Sequence, residues 1–256
     1  MLAAESTGSG ADVLLVHAGV TDQRSWRHVV DALPGHRCLT YDARSYGRTT
    51  YVPEDGWSKV TDAVAVLDAY DVERAVVIGA SMGGKTSIDL ALLHPDRVRA
   101  LVLIGPAISG APDSEVEEGV KPLEAALIAA DEAGDLEELN RVEAHIWLDG
   151  PLVPEGRVGG AVRELFLEMN GIPLAAVDPG DDDSGVVAWD RLSEISVPTL
   201  ILVGEHDLRE IREGCEHAAR EMPHARLVEL PGVAHLPHLE NDERTLAEIV
   251  AFVSSL

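Results

Sequence analysis

The stretch Gly79-Ala-Ser-Met-Gly83 follows a short apolar run and precedes a longer amphipathic one. The apolar run, residues 74–79, is typical of a strand buried on both faces, and residues 83–94 have helical spacing. A serine at such a sharp strand-to-helix turn has strained backbone angles, and flanking glycines remove Cβ atoms that would clash there. The pattern therefore predicts Ser81 as a projecting nucleophile, and the Met82 amide at the helix start as a donor to a developing oxyanion.

Similar apolar runs alternate with helical patterns along most of the chain. This alternation is typical of an α/β fold, with a mostly parallel twisted sheet flanked by helices. Strands are predicted at residues 12–17, 37–42, 74–79, 98–104, 199–204 and 226–230, with a further edge strand at 2–7. Helices are predicted near residues 23–33, 57–70, 83–94, 208–221 and 241–254. A sheet of this kind binds its ligand at the carboxyl ends of the strands.

The regular alternation of predicted strands and helices stops in the middle of the chain. Helical patterns there cover about residues 113–132, 135–148 and 160–170. We therefore expect a core domain of residues 1–105 and 196–256, and a small helical lid of residues 106–195 inserted after the sixth strand. The lid contains 5 basic and 21 acidic residues. Such a charge balance is typical of solvated helical faces, and it also indicates that the lid does not attract anionic substrates.

Composition excludes several classes of partner. The chain has 256 residues, of which 20 are basic and 45 acidic, for a formal net charge of −25, and 46% are hydrophobic. This charge argues against binding to nucleic acid or to an anionic membrane surface. The first residues lack the features of a signal peptide, and no apolar stretch approaches the roughly 20 residues that span a bilayer. We expect a cytoplasmic monomer or homodimer without metal or cofactor, with Cys38 and Cys215 as buried thiols.

A second pattern overlaps the nucleophile stretch. Residues 79–86 also match a phosphate-binding loop, in which Gly, four residues and Gly-Lys are followed by Ser or Thr. Such a loop needs an acidic residue at the end of a neighbouring strand to hold Mg²⁺, but strand 98–104 ends in Gly105-Pro106. Asp207 is the remaining candidate, and it lies beyond the lid. A P-loop nucleotide hydrolase is therefore the weaker alternative, and Lys85 is expected to extend to solvent.

A nucleophilic serine needs a base, and the base needs an orienting carboxylate. Asp207 follows the penultimate predicted strand and His235 follows the last one, so both lie at the sheet end that carries Ser81. Asp207 could instead cap the next helix, and His235 could be an ordinary loop histidine. Glu205 and His238 are the substitutes for the acid and the base.

The loop after the first long strand supplies a further element. Its sequence is His17-Ala-Gly19-Val20. A small residue lets a backbone amide approach the reacting carbonyl oxygen, so we predict Gly19 as the second oxyanion donor, with Val20 as the alternative. His17 is expected to hydrogen-bond this loop instead of transferring protons.

Taken together, these segments resemble the α/β-hydrolase superfamily over nearly the whole chain outside the lid. The order Ser81, Asp207, His235 is the order of its catalytic triad. Ala18, Ser45 and Ala80 depart from the residues usual at their positions, which leaves the triad untouched. The segments that carry the resemblance are Leu15 to Val20 with Trp26, Tyr41 to Thr49, Gly79 to Gly84, His94 to Val98, Val197 to Leu200, Gly204 to Asp207 and Gly232 to Glu240.

The resemblance implies a serine hydrolase that cleaves a carboxylic ester or lactone of a neutral small molecule through an acyl-enzyme. The loop around Gly19 and the compact lid are similar to those of esterase-like and enol-lactonase-like members. Carbon–carbon bond hydrolases and cofactor-free haloperoxidase or perhydrolase relatives are the alternatives. A substrate pocket is expected between sheet and lid, although side chains at helical spacing also pack as lid core. Its candidate residues are His145, Trp147, Phe166, Met169 and Trp189.

Overall fold

The structure is a computed structural model that describes residues 1–180, 182 and 184–256. Within these residues, the strands are β1 (Ala3–Gly8), β2 (Ala11–Val16), β3 (His36–Asp42), β4 (Ala75–Ala80), β5 (Val98–Ile104), β6 (Thr199–Gly204) and β7 (Ala225–Leu230). They form a single sheet in the order β1-β3-β2-β4-β5-β6-β7. The predicted edge strand is confirmed, because β1 pairs antiparallel with β3, and all other neighbours are parallel.

Helices cover both faces of the sheet. The helices are α1 (Arg27–Ala32), α2 (Lys59–Ala69), α3 (Met82–Leu93), α4 (Lys121–Ala133), α5 (Leu136–Glu143), α6 (Gly160–Leu174), α7 (Arg209–Glu221) and α8 (Glu243–Ser254). One buried apolar cluster joins Leu14 and Val77 to α2, α3 and α7, and a second joins Val13 and Ile78 to α1 and α8. The central strands are thus buried on both sides, which explains their uninterrupted apolar runs.

The segment between β5 and β6, here called the insertion (residues 106–195), carries α4, α5 and α6. It follows the fifth strand of the chain and not the sixth, because the five strands predicted before residue 106 are formed and the described residues contain no other strand there. The helix expected over 113–132 begins only at Lys121. Pro122 lies in its first turn, where the missing amide is tolerated, whereas an earlier start would require that amide as a donor.

The helix expected over 135–148 is formed in two parts. After α5 ends at Glu143, residues Ala144–Asp149 form a wider π-helical turn. The first predicted helix, near 23–33, likewise divides into a 3-10 turn over Gln23–Trp26 and α1. None of the helices in the described part of the chain combines the length and the apolar character that a membrane crossing requires.

Candidate active site

Ser81 is the single residue between the end of β4 and the start of α3. Its backbone angles are φ 51° and ψ −114°, a strained combination for a residue with a side chain. A Cβ atom at Gly79 would lie 2.3 Å from the Gly83 carbonyl oxygen, and one at Gly83 would lie 2.0 Å from that of Val16. The predicted reason for both glycines is therefore confirmed: the turn is too close to its neighbours for any side chain.

This geometry does not fit a phosphate-binding loop. Such a loop encloses phosphate with several non-helical residues, whereas here α3 already begins at Met82. Lys85 does not extend freely to solvent as expected, because its Nζ lies 2.7 Å from Oδ2 of Asp89 on the same helix. An ammonium held in this pair is not available to a nucleotide.

Asp207 and His235 form a buried pair. His235 Nδ1 lies 2.8 Å from Asp207 Oδ2, and both side chains are only 1% exposed. The other Asp207 oxygen accepts the amide of Leu208 at 2.8 Å, so the carboxylate is held at both oxygens and does not cap α7. The Trp147 ring lies 4.8 Å from the His235 ring. Nε2 of His235 has no hydrogen-bond partner among the described residues.

Gly105 connects this pair to Ser81. The Ser81 amide donates to the Ile104 carbonyl at 2.9 Å, and the Ala107 amide donates to the Ser81 carbonyl at 3.2 Å. Between those contacts, Gly105 has φ 47°, and a Cβ there would lie 3.0 Å from both Asp207 Oδ2 and His235 Nδ1. The serine turn and the Asp–His pair therefore flank the same glycine, although no hydrogen bond joins the Ser81 hydroxyl to Nε2 in the described structure.

The two substitute residues lie elsewhere. The exposed Glu205 side chain accepts the Gly232 amide at 2.8 Å, so it braces the turn before His235. His238 is fully buried and stacks on Trp26, with ring centroids 4.3 Å apart. Burial, and secondarily the nearby His235, lower the pKa of His238 to about 3. His238 is thus a neutral core residue at physiological pH.

The loop with Gly19 lies against the start of α3. A Cβ at Gly19 would be 3.6 Å from the Met82 Cβ and Sδ atoms. Among the described residues, the amides of Gly19, Val20 and Met82 have no backbone acceptor. His17 holds this loop: its Nε2 accepts the Ala43 amide at 3.0 Å, so its Nδ1 donates to the Ala18 carbonyl at 2.8 Å. Burial lowers the pKa of His17, which keeps the ring in this neutral form.

The predicted pocket residues are dispersed. Trp147 faces His235 and lines an apolar cleft of about 180 Å³ together with Ile146 and Leu208. His145 Nε2 lies 2.9 Å from the Val153 carbonyl oxygen. Phe166 and Met169 are completely buried in the core, as the lid-core alternative anticipates, and Trp189 stacks on His217 at 3.8 Å.

Two residues at the site are not among the predicted site residues. From the sequence, Gly105 serves only as evidence against a phosphate-binding loop. A glycine at the carboxyl end of a central strand is, however, itself a signal that other groups approach the backbone closely. Tyr46 lies across from Met82, with its hydroxyl 3.7 Å from the sulfur, and burial raises its pKa to about 12. In the described part of the chain, no cluster of three or more His, Cys, Asp or Glu side chains could hold a metal ion.

Comparison with known proteins gives a consistent result. The sequence profile of the alpha/beta hydrolase family matches residues 13–249. Rhodomycin D methylesterase of Streptomyces sp. strain C5 is 30% identical over 96% of this chain and 93% of its own length. A pimeloyl-acyl-carrier-protein methyl ester esterase of Yersinia enterocolitica is 25% identical over 94% of this chain and 92% of its own length. The crystal structure of a hydrolase from Pseudomonas aeruginosa superposes with a TM-score of 0.78 and 26% identity, covering 98% of this chain and 94% of that one. The chain belongs to the alpha/beta hydrolase family.

Proposed function

We propose that this enzyme hydrolyses a carboxylic ester or lactone of a small molecule through an acyl-enzyme on Ser81. The observation that carries the proposal is the buried Asp207–His235 pair beside the strained serine turn. A histidine held at Nδ1 by a carboxylate is in the tautomer whose Nε2 can accept a proton. That Nε2 is the ring atom without a partner among the described residues.

The reaction follows from these positions. The Ser81 hydroxyl attacks the carbonyl carbon while its proton passes to His235 Nε2, and Asp207 stabilises the imidazolium that forms. The imidazolium then protonates the leaving alkoxide, and the acyl group remains on Ser81. Water attacks the acyl-enzyme with His235 again as base, which releases the acid and restores the serine. Hydrogen bonds of this kind are often long before substrate binds, so the separation of Ser81 from Nε2 is compatible with the scheme.

The amides of Met82 and Gly19 are the proposed oxyanion donors. Both lack a backbone acceptor in the described structure, and a Cβ at Gly19 would lie 3.6 Å from the Met82 side chain. Met82 is the first residue of α3, where the helix dipole and a free N–H both favour negative charge. Removing one such donor in related chemistry lowers turnover by about 10² to 10³.

The relatives support ester cleavage in particular. The two proteins cited above are named for methyl ester hydrolysis, and each is matched by nearly the whole of this chain. We also propose that the insertion acts as the lid over the substrate, because its Trp147 reaches the ring of His235. The pocket between insertion and sheet then decides which ester or lactone is accepted.

The direct test is hydrolysis of short-chain p-nitrophenyl esters by the unmodified protein and by Ser81→Ala. We expect turnover to fall by about 10⁴ to 10⁶ in the variant, because the nucleophile is removed. A fluorophosphonate should add to Ser81 in the unmodified protein, with the adduct located by mass spectrometry. Equal hydrolysis by both proteins would refute the assignment of the nucleophile.

The base is tested with two histidines of one loop. His235→Asn should lower turnover about as much as Ser81→Ala, because the two residues act as a unit. His238→Phe is the matched control, since its ring packs on Trp26 and takes no part in the proton transfer. If His238→Phe abolished turnover while folded and His235→Asn did not, the assignment of the base would be wrong.

A further inference from the structure

The buried acidic side chains of the described structure each have a cation or backbone amides as partners. Ion pairs join Asp22 to Arg24, Asp62 to Arg44, Asp89 to Lys85, Asp149 to Arg163 and Asp207 to His235. Asp42 instead accepts the amides of Gln23 and Arg48, at 2.9 and 2.8 Å. This pairing is expected, because an isolated buried carboxylate is strongly destabilising.

Glu143, the last residue of α5, is different. It is half-buried, and burial raises its pKa. Its hydrogen-bond donor is a neutral amide, the Nδ2 of Asn170, at 2.5 Å from Oε2. Among the described residues, none of the Lys, Arg or His nitrogens lies within 4.0 Å of its carboxylate. The protein therefore buries part of this charge without supplying the cation that would offset it.

A hydrogen bond from the buried Asn170 side chain fixes the position of the Glu143 carboxylate. Asn170 is 1% exposed, and its Nδ2 also donates to Asn140 Oδ1 at 3.0 Å. Asn140 in turn donates to the Leu167 carbonyl at 2.8 Å, which ties α5 to α6. The side-chain amides of Asn140 and Asn170 thus orient the Glu143 carboxylate without neutralising its charge.

Glu143 is near two aromatic residues of the proposed active site. Trp147 follows it by about one helical turn, so the two side chains share a face, and the Trp147 ring lies 4.8 Å from the His235 ring. The negative charge of Glu143 also adds to burial in raising the pKa of the Tyr46 hydroxyl, and that hydroxyl is 3.7 Å from the Met82 sulfur. The carboxylate therefore lies in the same region as Trp147 and Tyr46.

The geometry points to Glu143 as a specificity-determining residue that binds a protonated amine or quaternary ammonium group of the substrate. The inference rests on the proposed ester hydrolysis and names the class of ester: one that carries a cation on its acyl or alcohol part. A carboxylate supplies the opposite charge, and the faces of Trp147 and Tyr46 supply cation–π contacts. The strongly acidic chain favours the approach of such a ligand.

The test compares substrates that differ only in charge. One pair is butyrylcholine and its neutral isostere, in which a tert-butyl group replaces trimethylammonium. The other is the p-nitrophenyl ester of γ-trimethylammoniobutyric acid and its tert-butyl isostere. We expect the unmodified enzyme to prefer the cation of at least one pair by about tenfold in kcat/KM, and Glu143→Gln to lose that preference. Glu137→Gln, which removes an exposed charge from the same helix, should retain it.

Binding to the Ser81→Ala protein, measured by calorimetry with the same pairs, keeps the test independent of turnover. A cation preference in binding that disappears in the double variant with Glu143→Gln supports the inference even if no ester is hydrolysed. Hydrolysis of the neutral esters without a Glu143-dependent cation preference in either pair overturns it and leaves the proposed function intact. Equal loss of preference in Glu137→Gln also overturns it, because the effect would then be that of overall charge. Glu143→Gln should unfold at the same temperature or higher.

Discussion

Gly105 has no side chain, and its backbone lies close to the Asp207–His235 pair. Gly105→Ala would place a methyl group 3.0 Å from Asp207 Oδ2 and His235 Nδ1 while the backbone holds φ 47°. The pair must then shift by a few tenths of an ångström. Because a displacement of about 1 Å can lower a rate by about 10², we expect kcat/KM for p-nitrophenyl butyrate to fall by about tenfold.

Gly134→Ala is the matched control for this substitution. Gly134 has φ 66°, but no atom lies within 4 Å of its added Cβ. It should lose about 1 kcal/mol of stability from backbone strain and keep full activity. If both variants were equally active, Gly105 would have no role in spacing the catalytic groups.

His238 should make the folding free energy depend on pH. Its folded-state pKa of about 3 is below the unfolded value of 6.5, so between those values the unfolded chain binds the extra proton. Stability contributed by the neutral ring is therefore present above pH 6.5 and is lost as the pH falls toward 3. From pH 6.5 to pH 4.5 the loss is roughly 2 kcal/mol. Urea unfolding at several pH values should show this fall in the free energy of unfolding. The fall should be smaller in His238→Phe, because the histidine that gains a proton on unfolding is absent. Equal pH dependence in the two proteins would contradict the prediction.

At the scale of elements, Arg157 joins the insertion to the loop that carries His235. Arg157 donates to both oxygens of Glu240, at 2.7 and 2.8 Å, and to the Gly232 carbonyl at 3.0 Å. It also donates to the Leu148 carbonyl of the π-helical turn at 2.7 Å. The turn that carries Trp147 and the loop that carries His235 are therefore positioned relative to each other by one guanidinium group.

Arg157→Met tests this connection. Removing one partner of a largely buried ion pair leaves Glu240 without its cation, and we expect a loss of about 2 to 4 kcal/mol in the free energy of unfolding. Turnover should fall by about tenfold or more, because His235, the proposed base, is less well positioned. Arg141→Met removes the exposed pairs of Arg141 with Glu138 and Glu155, and should change stability by less than about 1 kcal/mol. Similar losses of stability and turnover in the two variants would show that Arg157 has no special role in positioning these two segments.

For the whole molecule, the dominant feature is the net charge of −25. Mutual repulsion of the acidic side chains should destabilise the folded chain at low ionic strength. Raising NaCl from 10 to 100 mM shortens the Debye length from about 30 to about 10 Å, so we expect Tm to rise by about 2 to 4 °C. The rise should be smaller at pH 4.5, where part of the carboxylates are protonated. Calorimetry at both pH values checks this, and an equal rise would exclude charge repulsion as the cause.

Local sequence patterns predict the order of strands and helices and the serine turn, and the structure contains both. These features depend on short-range constraints: an apolar run that can be buried on both faces, and glycines two positions from Ser81. The same local reasoning failed at residues 113–120, where acidic residues at helical spacing precede the actual start of α4. Local patterns match a phosphate-binding loop equally well, and only the folded structure shows that the helix begins at Met82.

Contacts between distant segments establish that His235 meets Asp207, that Gly105 lies between this pair and Ser81, and that the half-buried Glu143 has no cation partner among the described residues. His235 and His238 are three residues apart, yet one reaches Asp207 and the other packs on Trp26. Gly105 and Glu143 acquire their significance from groups far away along the chain. The physical reason is that burial, close approach and charge pairing are set by neighbours in space, which the local pattern of a sequence does not contain.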